Sequence, residues 1–192
     1  MRFEEFKREL EGLEEVGRGW RGVVYRGSWK GREVAVKVAR SPEKEEAIRK
    51  EGRVLEMLKG RKGFPQLLFA GEDFIVYGFI KGRPLGKLRL SEEDKKRVYR
   101  EVLELAYLLD ELGINKDEFA DLRKNALVTD EGEVYLIDFE RSSFKENPSN
   151  VRQFLQLLRR EGFVSHEEAV RLGKAYKENR KEVINEIRKL LT

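Results

Sequence analysis

Gly17-Arg18-Gly19-Trp20-Arg21-Gly22-Val23-Val24-Tyr25-Arg26 is the stretch on which the fold turns. It fits the pattern G-x-G-x-x-G-x-V. In a parallel dinucleotide-binding unit such a loop leaves a strand and opens a helix. Here the residues after Gly22 are strand-like, so the loop joins two antiparallel strands. Glycines at these positions let the backbone approach phosphate oxygens without a Cβ in the way. A Gly-rich hairpin with no ligand shows the same local pattern, so the residues on either side decide.

Gly and β-branched residues dominate from Glu14 to Ala39, and Lys30-Gly31 falls between two strand-like runs. This predicts two or three antiparallel strands. In Val34-Ala35-Val36-Lys37-Val38-Ala39 the valines share one strand face, and Ala35, Lys37 and Ala39 share the other. Small residues around one cation leave room for a flat base beside a charge aimed at phosphates. A lysine on a solvated face is the plainer reading. Ser41-Pro42-Glu43 predicts a helix start, with the helix running to about Lys59. Its apolar stripe is Ala47, Ile48, Leu55 and Leu58, and Glu51 falls on that stripe. A carboxylate facing a core needs a partner. Lys37 is the natural one, and a rim position with the charge turned outward is the alternative. Upstream, Phe3, Phe6, Leu10 and Leu13 have helical spacing and predict a short amphipathic helix.

Residues 66–80 read as two more strands with a turn near Gly71. Ser91-Glu92-Glu93-Asp94 resembles a capping box and opens a long helix through Leu112. The rest is helical apart from a hairpin at 126–138, with Asn150 and Gln153, and Ser165 and Glu168, as candidate caps. In the hairpin, two apolar runs flank Asp130-Glu131-Gly132-Glu133. If Glu131-Gly132 is a two-residue turn, Asn125 and Asp138 stand opposite each other, with Cβ atoms about 5 Å apart. An amide oxygen and a carboxylate so placed suit a hard cation such as Mg²⁺, with water and phosphate completing its shell. Chance polar residues at two strand ends would look the same.

Composition removes several classes. There is no Cys and one His, which excludes disulfides, thiolate metal sites, a Cys nucleophile and a multi-His metal site. The start MRFEEFKREL has no signal-like apolar stretch, and no run is long enough for a membrane span, so a soluble, cytoplasmic protein is expected. A monomer is expected as well. Charged residues make up 40% of the chain with only 3 Gln, a balance that resembles heat-adapted proteins. Residues 1–150 carry 30 basic and 30 acidic side chains, whereas 151–192 carry 10 and 6, so the net +4 sits in the last fifth. Two further basic stretches are Lys59-Gly60-Arg61-Lys62 and Lys81–Arg89. Such clusters are either solvated helix faces or a polyanion surface.

Taken together, residues 12–144 resemble a protein-kinase-like fold. The resemblance implies an α+β, bilobal architecture: an antiparallel-sheet lobe at 1–82 and a reduced helical lobe at 83–192. It implies that Gly17, Gly19 and Gly22 cover the phosphates of ATP, that Lys37 holds them and that Glu51 is its helix partner. Tyr77 would be the gatekeeper, with Gly78 and Ile80 offering backbone contacts to adenine. Asn125, and Asp138 of Asp138-Phe139-Glu140, would bind Mg²⁺. No H-R-D is present. Asp121 and Glu118 both remain candidates for the catalytic base, and Arg123 or Lys124 for contact with the transferring phosphate. No A-P-E follows Asp138, so the peptide-docking segment of protein kinases is unmatched. Within the fold, the chain is similar to minimal archaeal kinases related to the RIO and KEOPS-associated kinases, and most to the archaeal tRNA kinases that phosphorylate a uridine 2′-hydroxyl. That likeness implies tRNA as substrate, with Lys174, Lys177 and Lys181 on an RNA-binding surface. A protein or small-molecule kinase, and a pseudokinase that only binds RNA, are the alternatives.

Overall fold

The alternating run around Lys37 becomes the centre of a sheet, as its pattern predicts. The computed structural model describes residues 1–192. In chain order the strands are β1 (Leu10–Arg18), β2 (Gly22–Trp29), β3 (Arg32–Ala39), β4 (Leu67–Ala70), β5 (Phe74–Gly78), β6 (Gly82–Pro84), β7 (Ile114–Asn115), β8 (Ala126–Thr129), β9 (Val134–Leu136) and β10 (Ser143–Phe144). The helices are α1 (Phe3–Phe6), α2 (Glu45–Met57), α3 (Glu92–Glu111), α4 (Asn150–Arg160), α5 (His166–Tyr176) and α6 (Arg180–Leu190). The class is α+β, as expected. Two units divide the chain: Met1–Gly82 with Thr129–Ser142, and Arg83–Val128 with Ser143–Thr192.

In the first unit the strands form one antiparallel sheet in the order β1-β2-β3-β5-β4. Lys30 and Gly31 both have positive φ, 52° and 75°, which is the tight hairpin turn that Trp29 and Arg32 close. Val34, Val36, Phe74 and Val76 lie in one core with Phe3 and Phe6. Leu10 and Leu13 pack there too, but from β1, not from the helix their spacing predicts. The register between β1 and β2 shifts between Glu11 and Glu14, and Gly12 sits at φ 62°. This bulge turns both leucines to the same face three residues apart, a spacing that imitates a helix. On the opposite face α2 packs against β3, β4 and β5.

Thr129–Ser142 belongs to this first unit, although 83–192 was expected to stay together. Its backbone explains the grouping. The Leu136 N–H donates to the Gly63 carbonyl at 2.9 Å, and the Phe139 N–H donates to Glu51 Oε2 at 2.9 Å. Phe139 is fully buried, edge-on to Phe64.

The second unit is helical. α3 packs against α4 and α6, α4 against α5, and α5 against α6, while β7 pairs antiparallel with β10. Ser91 and Ser165 cap α3 and α5, their hydroxyls accepting the N–H groups of Asp94 and Glu168 at 3.1 Å. Asn150 does not cap. Its side chain is buried in a polar network, where Nδ2 donates to Asp110 Oδ1 at 2.8 Å and to the Ile114 carbonyl at 2.6 Å. Its Oδ1 accepts the Lys116 N–H at 2.9 Å, and Tyr176 donates to Asp110 Oδ2 at 2.5 Å. No helix is long and apolar enough to cross a membrane.

Candidate active site

Lys37 is the hub of the first unit's polar interior. Its Nζ lies 2.7 Å from Glu51 Oε1, 3.0 Å from Asp138 Oδ1 and 3.3 Å from Glu140 Oε2. Lys37 and Glu51 are 3% and 2% exposed, so this pairing is the buried one that the helix stripe required. Three of the predicted site residues, Lys37, Glu51 and Asp138, thus meet. Burial works to lower the Lys37 pKa, but the carboxylates of Glu51, Asp138 and Glu140 outweigh it and hold the ammonium well above the ordinary lysine value. Burial pushes the Glu51 carboxyl up against the pull of Lys37. Glu140 is a contact that sequence reasoning missed. It follows Phe139 directly, and its other oxygen faces Arg21 at 3.9 Å.

The glycine loop closes above β3. The Gly19 N–H donates to the Gly22 carbonyl at 2.9 Å, and Arg40 donates to the Gly19 carbonyl at 2.9 Å. A Cβ on Gly22 would lie 3.1 Å from Lys37 Cγ, 3.2 Å from Ile48 Cδ1 and 3.2 Å from the Val38 carbonyl. On Gly17 and Gly19 a Cβ would meet nothing closer than 4.0 and 3.8 Å. Gly22 is therefore demanded by packing onto Lys37, whereas nothing crowds Gly17 and Gly19. Trp20, at the tip, is 71% exposed, with Lys44 Nζ 4.2 Å above its ring. Gly22→Ala is expected to cost about 1–3 kcal/mol of stability through overpacking. Gly17→Ala should leave the melting temperature within a degree or two, and thermal unfolding of both variants checks this.

Tyr77, Gly78 and Ile80 lie at the end of β5 and beyond it. Burial pushes the Tyr77 phenol above its ordinary value. The Phe79 N–H donates to the Glu33 carbonyl, so Glu33 and Phe79 form a bonded pair, and Gly78 opposite Val34 falls between bonded pairs. Both backbone groups of Gly78 consequently point away from β3. Its N–H is taken by Gln66, at 3.1 Å, which leaves its carbonyl as the group for a ligand. The Ile80 carbonyl accepts the Gly82 N–H at 3.1 Å.

The hairpin differs from its predicted form. The Thr129 N–H donates to the Glu133 carbonyl, the Gly132 N–H donates to the Thr129 carbonyl, and Gly132 has φ 83°. The loop has three residues with a bulged glycine, not the two-residue turn Glu131-Gly132. The derivation that set Asn125 directly opposite Asp138 falls with that turn. Asp138 itself is not in a strand: it follows β9 with φ 66°. Its side chain is 41% exposed. No group of three or more His, Cys, Asp or Glu residues is placed to hold a metal ion by itself. A hard cation here would take Asp138 oxygens together with oxygens from phosphate and water, which is how Mg²⁺ is usually held. The donor chemistry fits.

The second unit holds Asn125, Glu118 and Asp121. Asn125 is buried, and its Nδ2 donates to Glu118 Oε2 at 3.3 Å. Asp121 ends a single 3-10 turn and lines a cavity of about 250 Å³ with Arg123, Leu157, Arg160 and Glu161. A further acid stands out. Asp117 stands two residues past β7, is exposed, and has φ 60°, with Glu118 at φ 75°. Two successive non-glycine residues in the left-handed region mark a strained turn. It is held from behind: Asn115 and Lys116 are buried, the Lys116 N–H is bound by Asn150, and the Phe119 N–H is bound by Gln153 at 2.9 Å. An acid two residues past a short buried strand was the available signal in Ile114-Asn115-Lys116-Asp117.

Lys174, Lys177 and Lys181 are exposed on and between α5 and α6 and have no carboxylate partner. Neighbouring cations do: Arg171 pairs with Glu186 at 3.0 Å, Arg180 with Glu111 at 3.0 Å and Arg188 with Glu104 at 2.5 Å.

"Putative serine/threonine-protein kinase YrzF" of Bacillus subtilis (strain 168) is 29% identical over 144 residues, covering 73% of this chain and 64% of the relative. The chain thus spans a little under two thirds of that relative's length. The phosphotransferase enzyme family (APH) matches residues 12–127, from β1 into β8, a segment that contains the glycine loop, Lys37, Glu51 and Asn125. With more than half of its length matched, the chain belongs to the phosphotransferase enzyme family.

Proposed function

We propose that this phosphotransferase moves the γ-phosphoryl group of ATP to a hydroxyl of RNA, namely the 2′-hydroxyl of a uridine in the core of tRNA. The observation that carries the reading is the buried Lys37, fixed by Glu51 beneath a loop with space at Gly17 and Gly19. A cation so oriented is what the α- and β-phosphates of ATP require. Bound ATP with Mg²⁺ supplies the phosphoryl group and neutralises charge that develops during transfer. Lys37 orients the phosphates, and Asp138 offers carboxylate oxygens to the ion. Asn125 keeps the part in holding Mg²⁺ that the kinase resemblance implies. Such catalysis is mostly positioning and electrostatic stabilisation, so a short chain suffices.

Two features support an RNA acceptor. Residues 140–149 are all that separate Asp138-Phe139 from α4, and part of that segment is taken up by β10 pairing with β7. So short a segment leaves little loop on which to hold an extended peptide. The unpaired Lys174, Lys177 and Lys181 provide charge for a phosphate backbone, and structured RNA is read largely by shape and 2′-hydroxyls. The name of the Bacillus relative favours a second reading, a serine or threonine hydroxyl as acceptor. Transfer of radiolabelled phosphate from ATP to tRNA, to casein and to small alcohols separates these. Label on tRNA alone supports the proposal, and label on casein alone refutes it.

Asp117, Glu118 and Asp121 are the acids available to take the hydroxyl proton. The exposed, rigidly backed Asp117 is assigned that role, and Glu118 the orientation of Asn125. Asp117→Asn is expected to lower kcat by about 10²–10⁴-fold. Glu118→Gln should act chiefly on the Mg²⁺ dependence, and Asp121→Asn on the KM for the acceptor. Steady-state kinetics on the three variants would reassign the base if Asp121→Asn showed the kcat loss instead.

A further inference from the structure

We propose that the helical unit contains a phosphate-binding groove, built where residues 85–90 cross the loop bearing Asp121, and that it holds the sugar–phosphate backbone of the RNA acceptor. The inference rests on the RNA reading above and names where the acceptor lies on this unit.

The crossing is intimate. The Gly86 N–H donates to the Arg123 carbonyl at 2.9 Å, and a Cβ on Gly86 would lie 2.9 Å from Arg123 Cβ. Glycine is required there because the two backbones touch. Leu85 is buried and Leu88 and Leu90 are half-buried, while Lys87 and Arg89 alternate with them and are exposed. Neither of these two cations has a carboxylate partner. The segment therefore turns an apolar edge inward and a cationic edge to solvent.

The segment lines a cavity of about 210 Å³, and a second cavity of about 250 Å³ shares Arg123 and Glu161 with it as a common wall. Lys95 lines the first, and Arg160 and Asp121 line the second. Glu161 does not make the groove acidic. Its carboxylate is mostly buried, accepts from the Tyr99 hydroxyl at 2.5 Å, and faces Arg123 at 3.3 Å and Lys95 at 3.9 Å. One acid thus fixes two cations on its two sides. Arg160 bonds the Ala120 carbonyl and so ties the 119–121 turn to α4, with further N–H groups to spare. Each cavity is smaller than the roughly 300–1,000 Å³ of drug-sized ligand sites. A small cavity with a guanidinium at its wall suits a phosphate group. Two such cavities share a wall, and Lys87 and Arg89 stand on the solvent-facing edge of the segment that lines the first, so a chain of phosphates can run along that edge.

The test is phosphoryl transfer to tRNA by the full chain, with RNA affinity measured from 50 to 200 mM salt. Lys87→Glu/Arg89→Glu is expected to raise the KM for tRNA at least tenfold and to leave the KM for ATP in place. Each lost phosphate contact should make the slope of log affinity against log salt shallower by about 0.7–0.9. Lys95→Gln should give a smaller change in the same direction. Should the charge-reversed variant fail to fold, Lys87→Gln/Arg89→Gln reads the same slope. If the wild type labels tRNA and these variants bind it with unchanged KM and slope, the groove is wrong and the RNA reading stands. If the wild type labels no RNA, the reading and the groove fail together. If only charge reversal at Lys174, Lys177 and Lys181 weakens RNA binding, the backbone lies on α5 and α6 and the groove is overturned.

Discussion

Lys37→Met is expected to lower kcat for phosphoryl transfer by about 10²–10³-fold, the usual loss when one preorganised charge-stabilising donor is removed. The same substitution should also destabilise the fold, because it leaves Glu51, at 2% exposure, as a buried carboxylate without its cation. Breaking a buried pair in this way costs about 3–5 kcal/mol. The two effects separate in a double variant. Adding Glu51→Gln removes the orphaned charge, while an amide oxygen can still accept the Phe139 N–H that Glu51 Oε2 now holds. Lys37→Met/Glu51→Gln should therefore regain most of the lost melting temperature and none of the lost activity. Recovery of activity in the double variant would show that Lys37 acts only as a structural counter-ion.

Asn150→Ala should be the most damaging change in the helical unit. It strips the Lys116 N–H of its acceptor and removes both Nδ2 contacts, those to Asp110 and to the Ile114 carbonyl. Leaving several buried polar groups unpaired costs about 3 kcal/mol, which in a chain of this length corresponds to roughly 6–12 °C in melting temperature. Asn150→Asp is expected to be no better. It keeps the acceptor for Lys116 but puts a second carboxylate where an amide now sits 2.8 Å from Asp110. Because the network backs the 115–119 turn, kcat should fall in both variants while the KM for ATP holds. The network also has a pH signature. Burial pushes the Asp110 carboxyl above the usual aspartate range, against the hydrogen bonds from Tyr176, Val151 and Asn150. A raised carboxyl binds its proton more tightly when folded, so its contribution is complete in acid and is lost as pH rises through the elevated value. The stability of the wild type relative to Asp110→Asn should thus fall on going from pH 3 upward and then level off. Thermal melts across pH check this, and a difference that grows with pH would contradict the assignment.

Local signals were the legible ones. Lys30-Gly31, the serine caps at Ser91 and Ser165, and the stripe that carries Glu51 each act within a few residues, and the sequence pattern led directly to them. Two of the misreadings share one physical source, a single extra residue in a strand. At Gly12 a bulge lets Leu10 and Leu13 share a face, and at Gly132 another bulge changes the turn on which the Asn125–Asp138 pairing was built. Bulges leave little trace in apolar periodicity. Asn150 was misread for a different reason. Its partners, Asp110 and Lys116, lie 40 and 34 residues away, and a helix-start asparagine looks the same whether it caps or reaches into a core. Glu140 likewise stands 103 residues from Lys37, and no local rule announces the contact.

The two tryptophans sit in opposite surroundings: Trp20 in water at the loop tip, Trp29 packed against Phe6 and Phe69. Intrinsic emission of the protein should accordingly have a red component from the first and a blue one from the second. Whatever covers the glycine loop dims only the red edge, so occupancy can be followed by stopped-flow optics without attaching a dye.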